Sequence, residues 1–391
     1  MIQKAHDLRD VRTDELVVNM GPQHPATHGV LRVAVKTDGE VVLDVQPHVG
    51  NLHRCKERIG ENLLYGQFMP YTDRMDYLAA MNNELCYALA VEKLLGVSPP
   101  ERTNYIRVCM AELNRIASHL MSIGTYGLDM GAITPFLYAF RERETALDLM
   151  EEVSGGRMLY HYIRIGGVAR DLTEGWAGRC RALMDDMDRR IVQYNTLLTW
   201  NKIFIERTAG IGVLDRETAL DWGFTGPGLR AAGVDWDVRR DEPYSIYPEL
   251  KFVVPFGHGT PAGETVGVLG DCWHRHWIRM LEMEQSVSMV RQCLAKIDSL
   301  PKPENADAIS AKVPKLLRPA EGEVYFRAEN PRGELAFYLQ SDGSTNPWRL
   351  RIRGPSFVNI ALLGAISKGH LLADLVAIIG SIDIVLGEVD R

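Results

Sequence analysis

The sequence predicts an α+β fold: a central helical bundle with antiparallel β structure near the N- and C-termini. Three observations predict it. Apolar residues recur at helical spacing through the middle of the chain, a hairpin signal stands in the first fifty residues, and strand-like runs return after residue 320. We divide the chain into an N-terminal β region (1–50), a central bundle (51–300) with a loop-rich insertion at 207–270, and a C-terminal α+β region (301–391) completing the same core.

Leu31–Lys36 and Glu40–Val45 flank Asp38-Gly39, a dipeptide suited to a tight hairpin. After Gly50 the pattern turns helical. Ser98-Pro-Pro-Glu101 carries three marks of a helix start: Ser98 as cap, Pro99 in the first turn and Glu101 closing a capping box. Ile106, Met110, Leu113, Ala117 and Leu120 then follow at helical spacing. Thr134-Pro135 opens a second helix. A third begins at Asp171-x-x-Glu174 and runs to about Trp200, and a fourth spans Trp273 to Ser299. Glycines and prolines make 207–270 loop-rich, and 300–320 reads as a linker. Val324–Phe326 and Leu335–Leu339 read as strands, and Ser367–Ile379 as a last helix.

Composition narrows the function. Apolar residues are 46% and charged residues 24%, which is ordinary for a globular chain. A net charge of −7 disfavours nucleic acid as a partner, because neutralising phosphates needs a basic surface. The most apolar stretch, Leu371–Leu386, is interrupted by Asp374 and Asp383, whereas a membrane span needs about 20 nearly uncharged residues. The first fifteen residues hold no apolar secretory core. A chain of this kind works at a membrane only if partners hold it there. The six cysteines include no C-x-x-C pair, so neither a cysteine-held cluster nor a zinc site is expected, and they read as buried small apolar residues. Hydrolase motifs, phosphate loops and a dinucleotide fingerprint are missing, so the chain is not expected to bind NADH itself.

Three places hold chemistry-bearing residues. His24-Pro-Ala-Thr-His28 lies between Gly21-Pro22 and Gly29, and its prolines make it a loop. Its histidines either satisfy backbone groups in a turn or serve as proton-exchanging groups near neutral pH. Pro70–Tyr77 reads as a helix start, with Thr72 as cap, Asp73 and Asp76 at the positive end, and Arg74 and Tyr77 on one face. Glu112, Arg115 and His119 share one stripe, either a solvated face or a buried polar network. Asp129 stands among glycines and apolar residues; if buried it is raised in pKa unless paired, and a histidine neighbour would make a proton-sharing couple.

Taken together these blocks resemble the D-type, hydrogenase-like subunits of respiratory complex I. Gly21-Pro-Gln-His-Pro-Ala-Thr-His-Gly-Val-Leu-Arg32 is similar to that family's opening signature. Pro47–Arg54, Pro70–Tyr77, Ala111–Leu120, Leu128–Pro135, Arg141–Glu144, Tyr162–Gly167, Gly223–Gly226 and Val376–Arg391 follow at the family's spacing, and the likeness runs from about residue 15 to the last residue. The resemblance implies a fold like the large subunit of nickel–iron hydrogenases. It also implies quinone as substrate, with His28 and Tyr77 as hydrogen-bonding proton donors and Asp129 as partner of His28. Arg74 would lie beside a terminal [4Fe–4S] cluster held by a neighbouring subunit, and His24 and Thr125 would complete the cofactor-binding set. The implied partners are the other complex I subunits, above all the cluster-bearing one and the membrane arm. The implied location is peripheral, on the cytoplasmic side of a bacterial membrane.

Three departures stand out. Leu159 occupies a position where many family members carry a histidine thought to touch the cluster, which leans towards a low-potential quinone such as menaquinone; His161 is the nearest substitute. Gly257–Gly270 is longer than the family's turn, and the 300–320 linker is shorter. The positions of the hydrogenase's C-terminal cysteine pair fall at Val385 and Glu388, so the old metal pocket is expected to serve quinone. Competing readings are a docking scaffold that never touches quinone, a nickel–iron hydrogenase, and the same quinone chemistry fed by ferredoxin or a deazaflavin.

Overall fold

The computed structural model describes residues 15–23, 29–258 and 266–391. Three strands open the described chain: β1 (Glu15–Met20), β2 (Arg32–Asp38) and β3 (Val41–His48), paired antiparallel in that order. Val33, Val35, Val42 and Val45 of the sheet are buried, and Gly39 turns the hairpin with a φ of 58°. Helices follow: α1 (Lys56–Asn62), α2 (Tyr65–Thr72), α3 (Ala80–Leu95), α4 (Glu101–Asp129) and α5 (Ile133–Ser154). After the two-residue strands β4 (Ile163–Arg164) and β5 (Gly167–Val168) come α6 (Trp176–Tyr194), a π-turn at Asn195–Thr199 and α7 (Lys202–Thr208). Short helices α8 (Arg216–Asp221), α9 (Gly226–Ala231) and α10 (Val238–Asp241) punctuate the loop-rich segment before α11 (Cys272–Ser299). The remainder is β6 (Gly322–Asn330), β7 (Gly333–Ser341), β8 (Arg349–Arg353), α12 (Pro355–Ala361), α13 (Leu363–Ser367), α14 (Leu372–Ile382) and α15 (Leu386–Val389).

Long helices in the middle and small antiparallel sheets near either end make this the α+β fold that the sequence predicts. α4 and α11 form its axis. Both are buried on nearly every side, so they carry charged residues into the interior as well as apolar ones. α3 packs on β6 and β7, and α14 crosses α4 and α11. Gly380 permits that crossing, because a Cβ there would lie 2.7 Å from the Tyr126 ring. Among the described residues no helix is long and apolar enough to cross a membrane.

Several boundaries differ from expectation. Ser98 does not cap α4; the helix begins at Glu101 with Pro100 at its cap, because consecutive prolines hold the preceding residues extended. The third helix starts at Trp176, behind a left-handed Gly175, and Asp171 instead pairs with Arg102 at 3.1 Å. The last long helix spans 372–382, with Ser367 closing the shorter α13. Pro70–Tyr77 is not a helix start. Thr72 ends α2 and donates its hydroxyl to the Met69 carbonyl, and residues 73–79 form an irregular turn before α3. Cys55 does not pack; it is exposed, in a left-handed conformation with a φ of 54°, while the other five cysteines are buried.

Candidate functional site

A cavity of about 490 Å³ opens where the turn after α2 meets the residues leading into α1 and the segment after α5. Leu52, Arg54, Lys56, Arg74, Tyr77, Met158 and Leu159 line it. That size lies within the usual range for small-molecule pockets. The walls are apolar on the 158–159 side and cationic on the other.

The turn holding Arg74 and Tyr77 is fixed from several directions. Asp76 accepts the Leu78 N–H at 3.2 Å through Oδ1 and the Arg332 guanidinium at 2.7 Å through Oδ2. Asn83 donates its amide to the carbonyls of Thr72 and Asp76. Behind the turn, Gly387 comes so close that a Cβ would lie 2.5 Å from the Met75 carbonyl oxygen and 3.2 Å from the Tyr77 ring. Arg74 is half exposed, donates to the Pro70 carbonyl and pairs with Asp73 at 3.7 Å. Among the described residues no side chain hydrogen-bonds the Tyr77 hydroxyl. Burial raises its pKa, with Arg332 opposing and Asp76 assisting, so it stays a neutral O–H donor.

Asp129 ends α4, beside α14, where its Oδ2 would lie 3.3 Å from a Cβ at Gly380. Burial alone pushes its carboxyl up to about 6, and among the described residues it has no hydrogen-bonding partner. Thr125, one turn earlier, donates its hydroxyl to the Met121 and Ser122 carbonyls, leaving only lone pairs for another partner. The structure thus brings Arg74 and Tyr77 together in one cavity, while Asp129 and Thr125 are not among its lining residues. His24 and His28 lie outside the described residues.

A chain of buried ions runs from the turn at Asp76 to the end of α14, and sequence reasoning missed most of it. Arg332 donates to Asp76, to Ser118 at 2.9 Å and to Asp383 at 3.2 Å. Asp383 follows α14, whose Ser381 carbonyl accepts from Arg279 at 2.8 Å. Deeper in the core the Glu112–Arg115–His119 stripe is a buried network, not a solvated face. His119 meets Glu282 at 3.0 Å, Glu282 accepts from Arg230, and Arg230 reaches Glu329 at 2.8 Å. Arg239 joins Asp237 to Glu112, which also accepts from Tyr247 at 2.6 Å and Ser286 at 2.7 Å. Burial alone would raise Glu282, but Arg230 and His119 hold it well below the ordinary carboxylate range. Burial keeps His119 below its usual value despite that partner. No local pattern marks Arg230, Glu282 or Arg332, because their partners lie up to 256 positions away. Among the described residues no group of three or more His, Cys, Asp or Glu is arranged to hold a metal ion.

Residues 129–391 match the family model described as the respiratory-chain NADH dehydrogenase 49 Kd subunit. The chain is 54% identical over 384 residues to the D subunit of NADH-quinone oxidoreductase from Chlorobium luteolum, covering 98% of this chain and 95% of that one. It is 53% identical to the same subunit from Pelodictyon phaeoclathratiforme, over 98% and 94%. With the first of the D subunits of Cytophaga hutchinsonii it shares 50% identity over 388 residues, 98% of each chain. Similarity at this level and coverage shows that the chain belongs to the 49 kDa, or D-subunit, family of NADH-quinone oxidoreductase, and so is a complex I subunit within an oxidoreductase assembly.

Proposed function

We propose that this chain carries the quinone-reducing site of its complex, with Tyr77 and a His28–Asp129 couple as proton donors. The observation that carries the reading is the cavity beside Tyr77, whose hydroxyl is neutral and unpartnered among the described residues. Reducing a quinone to a quinol consumes two electrons and two protons, so each carbonyl oxygen needs a donor within hydrogen-bond reach. Tyr77 serves one oxygen. His28, backed by the Asp129 carboxyl with its pKa of about 6, serves the other. His24 and Thr125 contribute further contacts to the bound molecule.

The electrons come from a [4Fe–4S] cluster of a neighbouring subunit, and Arg74 places a permanent cation on the side facing it. Withdrawal of protons from the His28–Asp129 couple leaves a charge imbalance, which starts the coupling to proton translocation in the membrane arm. The buried ions from Asp76 through Arg332 to Asp383 supply a low-dielectric path along which such an imbalance is felt. The chain docks against the cluster-bearing subunit and the membrane arm, peripherally, on the cytoplasmic face of a bacterial membrane.

Tyr77→Phe and His28→Ala, introduced into the intact complex, test this. Each is expected to leave assembly intact and lower quinone reductase activity by about 100-fold or more, the usual worth of a positioned proton donor. Full activity in both assembled variants would leave the chain a docking scaffold.

A further inference from the structure

Lys56 lies at the first turn of α1, next to the exposed Cys55, in a polar run that resembles a surface segment. The structure buries it, with 5% of its surface exposed. Its ammonium donates to the Arg74 carbonyl at 2.6 Å and to the Gly387 carbonyl at 2.8 Å. Those two carbonyls belong to opposite ends of the sequence, and Gly387 is the residue whose close approach leaves no room for a side chain against the turn bearing Tyr77. The lysine stem also lines the cavity together with Arg74 and Tyr77. An ammonium has three N–H donors, so two are spent on backbone and one remains for the cavity.

We propose that Lys56 is a positioning residue of the quinone site, clasping the turn that carries Arg74 and Tyr77 to residues 386–389 so that the tyrosine hydroxyl is held at the substrate. This rests on the quinone-site reading. A clasp made by a charged group strengthens both hydrogen bonds relative to neutral ones and places a cation beside a substrate that becomes electron-rich on reduction. The groups facing the ammonium are Glu388 and Asp390 from the C-terminal segment, Arg74 and Tyr77 from the turn, and Arg54 from its own segment; Met158 and Leu159 on the far wall are uncharged. Burial lowers the lysine to about 8, against the pull of Glu388 and Asp390. Deprotonation above that value removes the charge and one N–H, so the clasp is weakened on the alkaline side.

The test uses the assembled complex with Lys56→Met, Lys56→Arg and Tyr77→Phe, each measured for iron–sulfur content and for quinone reduction from about pH 6 to about 9.5. Lys56→Met is expected to assemble, to lose about ten-fold in kcat/KM, as a small misplacement of a donor does, and to lose the alkaline limb at about 8. Lys56→Arg, which stays charged, is expected to recover activity to within about three-fold and to lack the limb. A limb at about 8 that persists in Lys56→Arg overturns the proposal, even if Lys56→Met fails to assemble. So does wild-type kcat/KM in an assembled Lys56→Met. If Tyr77→Phe is also fully active, the quinone-site reading itself has failed; if only Tyr77→Phe is impaired, the clasp alone has failed.

Discussion

A leucine cannot exchange a proton, and Leu159 stands in the cavity wall opposite Arg74 and Tyr77. His161, two positions on, does not take over its place. Its backbone has a φ of 44° and donates to Asp73 at 3.1 Å, and its side chain lines a different cavity with Arg164 and Ile165. Burial, then Arg164 and Arg74, lower its pKa, so the imidazole is neutral at pH 7 and above. If the neighbouring cluster lies beside Arg74, neither residue changes charge around neutrality. The cluster's midpoint potential should therefore be nearly flat from about pH 7 to about 8. A potentiometric titration followed by electron paramagnetic resonance checks this, and a slope approaching ~59 mV per pH unit, the one-electron, one-proton value, would reject it. Arg74 and Tyr77 were legible from their spacing of three. Lys56 was not, because nothing in Cys55-Lys56-Glu57 distinguishes a buried lysine from a solvated one.

At the scale of elements, α15 and the turn after α2 touch through a glycine. Gly387→Ala would drive a methyl into the Met75 and Arg74 carbonyls and against the Tyr77 ring. If Tyr77 acts as proposed, this variant is expected to lower quinone reductase activity by about ten-fold or more in the assembled complex, because a shift of its hydroxyl by about 1 Å suffices. Gly178→Ala, inside α6 with open space around it, is the control; it should leave activity unchanged and add about 0.5–1 kcal/mol of stability. Equal activity in the two variants would show that the contact is not needed. The long helices were legible because α4 and α11 repeat apolar residues over about eight turns, and the Asp38-Gly39 hairpin declared itself by turn chemistry. Helix ends were less legible. Pro99-Pro100 delays α4, Gly175 delays α6, and the turn that follows α2 is held by the Arg332–Asp76 pair, 256 positions apart, which no local window contains.

Over the whole molecule, the interior is organised by paired charges as much as by apolar packing. Glu112, Asp237 and Glu282 have folded pKa values below the ordinary range despite burial, because Arg115, Arg230 and Arg239 surround them. Their contribution to stability is present above the unfolded value, about 4, and is lost as pH falls through the folded values. Removing one partner is costly because the others stay buried. Glu282→Gln is expected to destabilise the chain by about 3–5 kcal/mol, seen as reduced abundance in membranes and earlier thermal denaturation of the complex. A wild-type melting profile would mean that Arg230 is neutralised well enough by Glu329 and Asp237. Such networks were illegible beforehand since a stripe such as Glu112, Arg115 and His119 looks the same on a wet surface as in a core; only the opposing helix decides. The site has the same long-range character. Asp390 accepts the Gly50 and Leu52 N–H groups at 2.7 and 2.6 Å, its carbonyl meets His53 at 2.5 Å, and Gly387 meets Lys56. The mouth of the cavity beside Tyr77 is thus held by contacts that span 331 to 340 positions of the chain, so a substitution at Asp390 would loosen the Gly50–Leu52 segment as directly as one made within that segment.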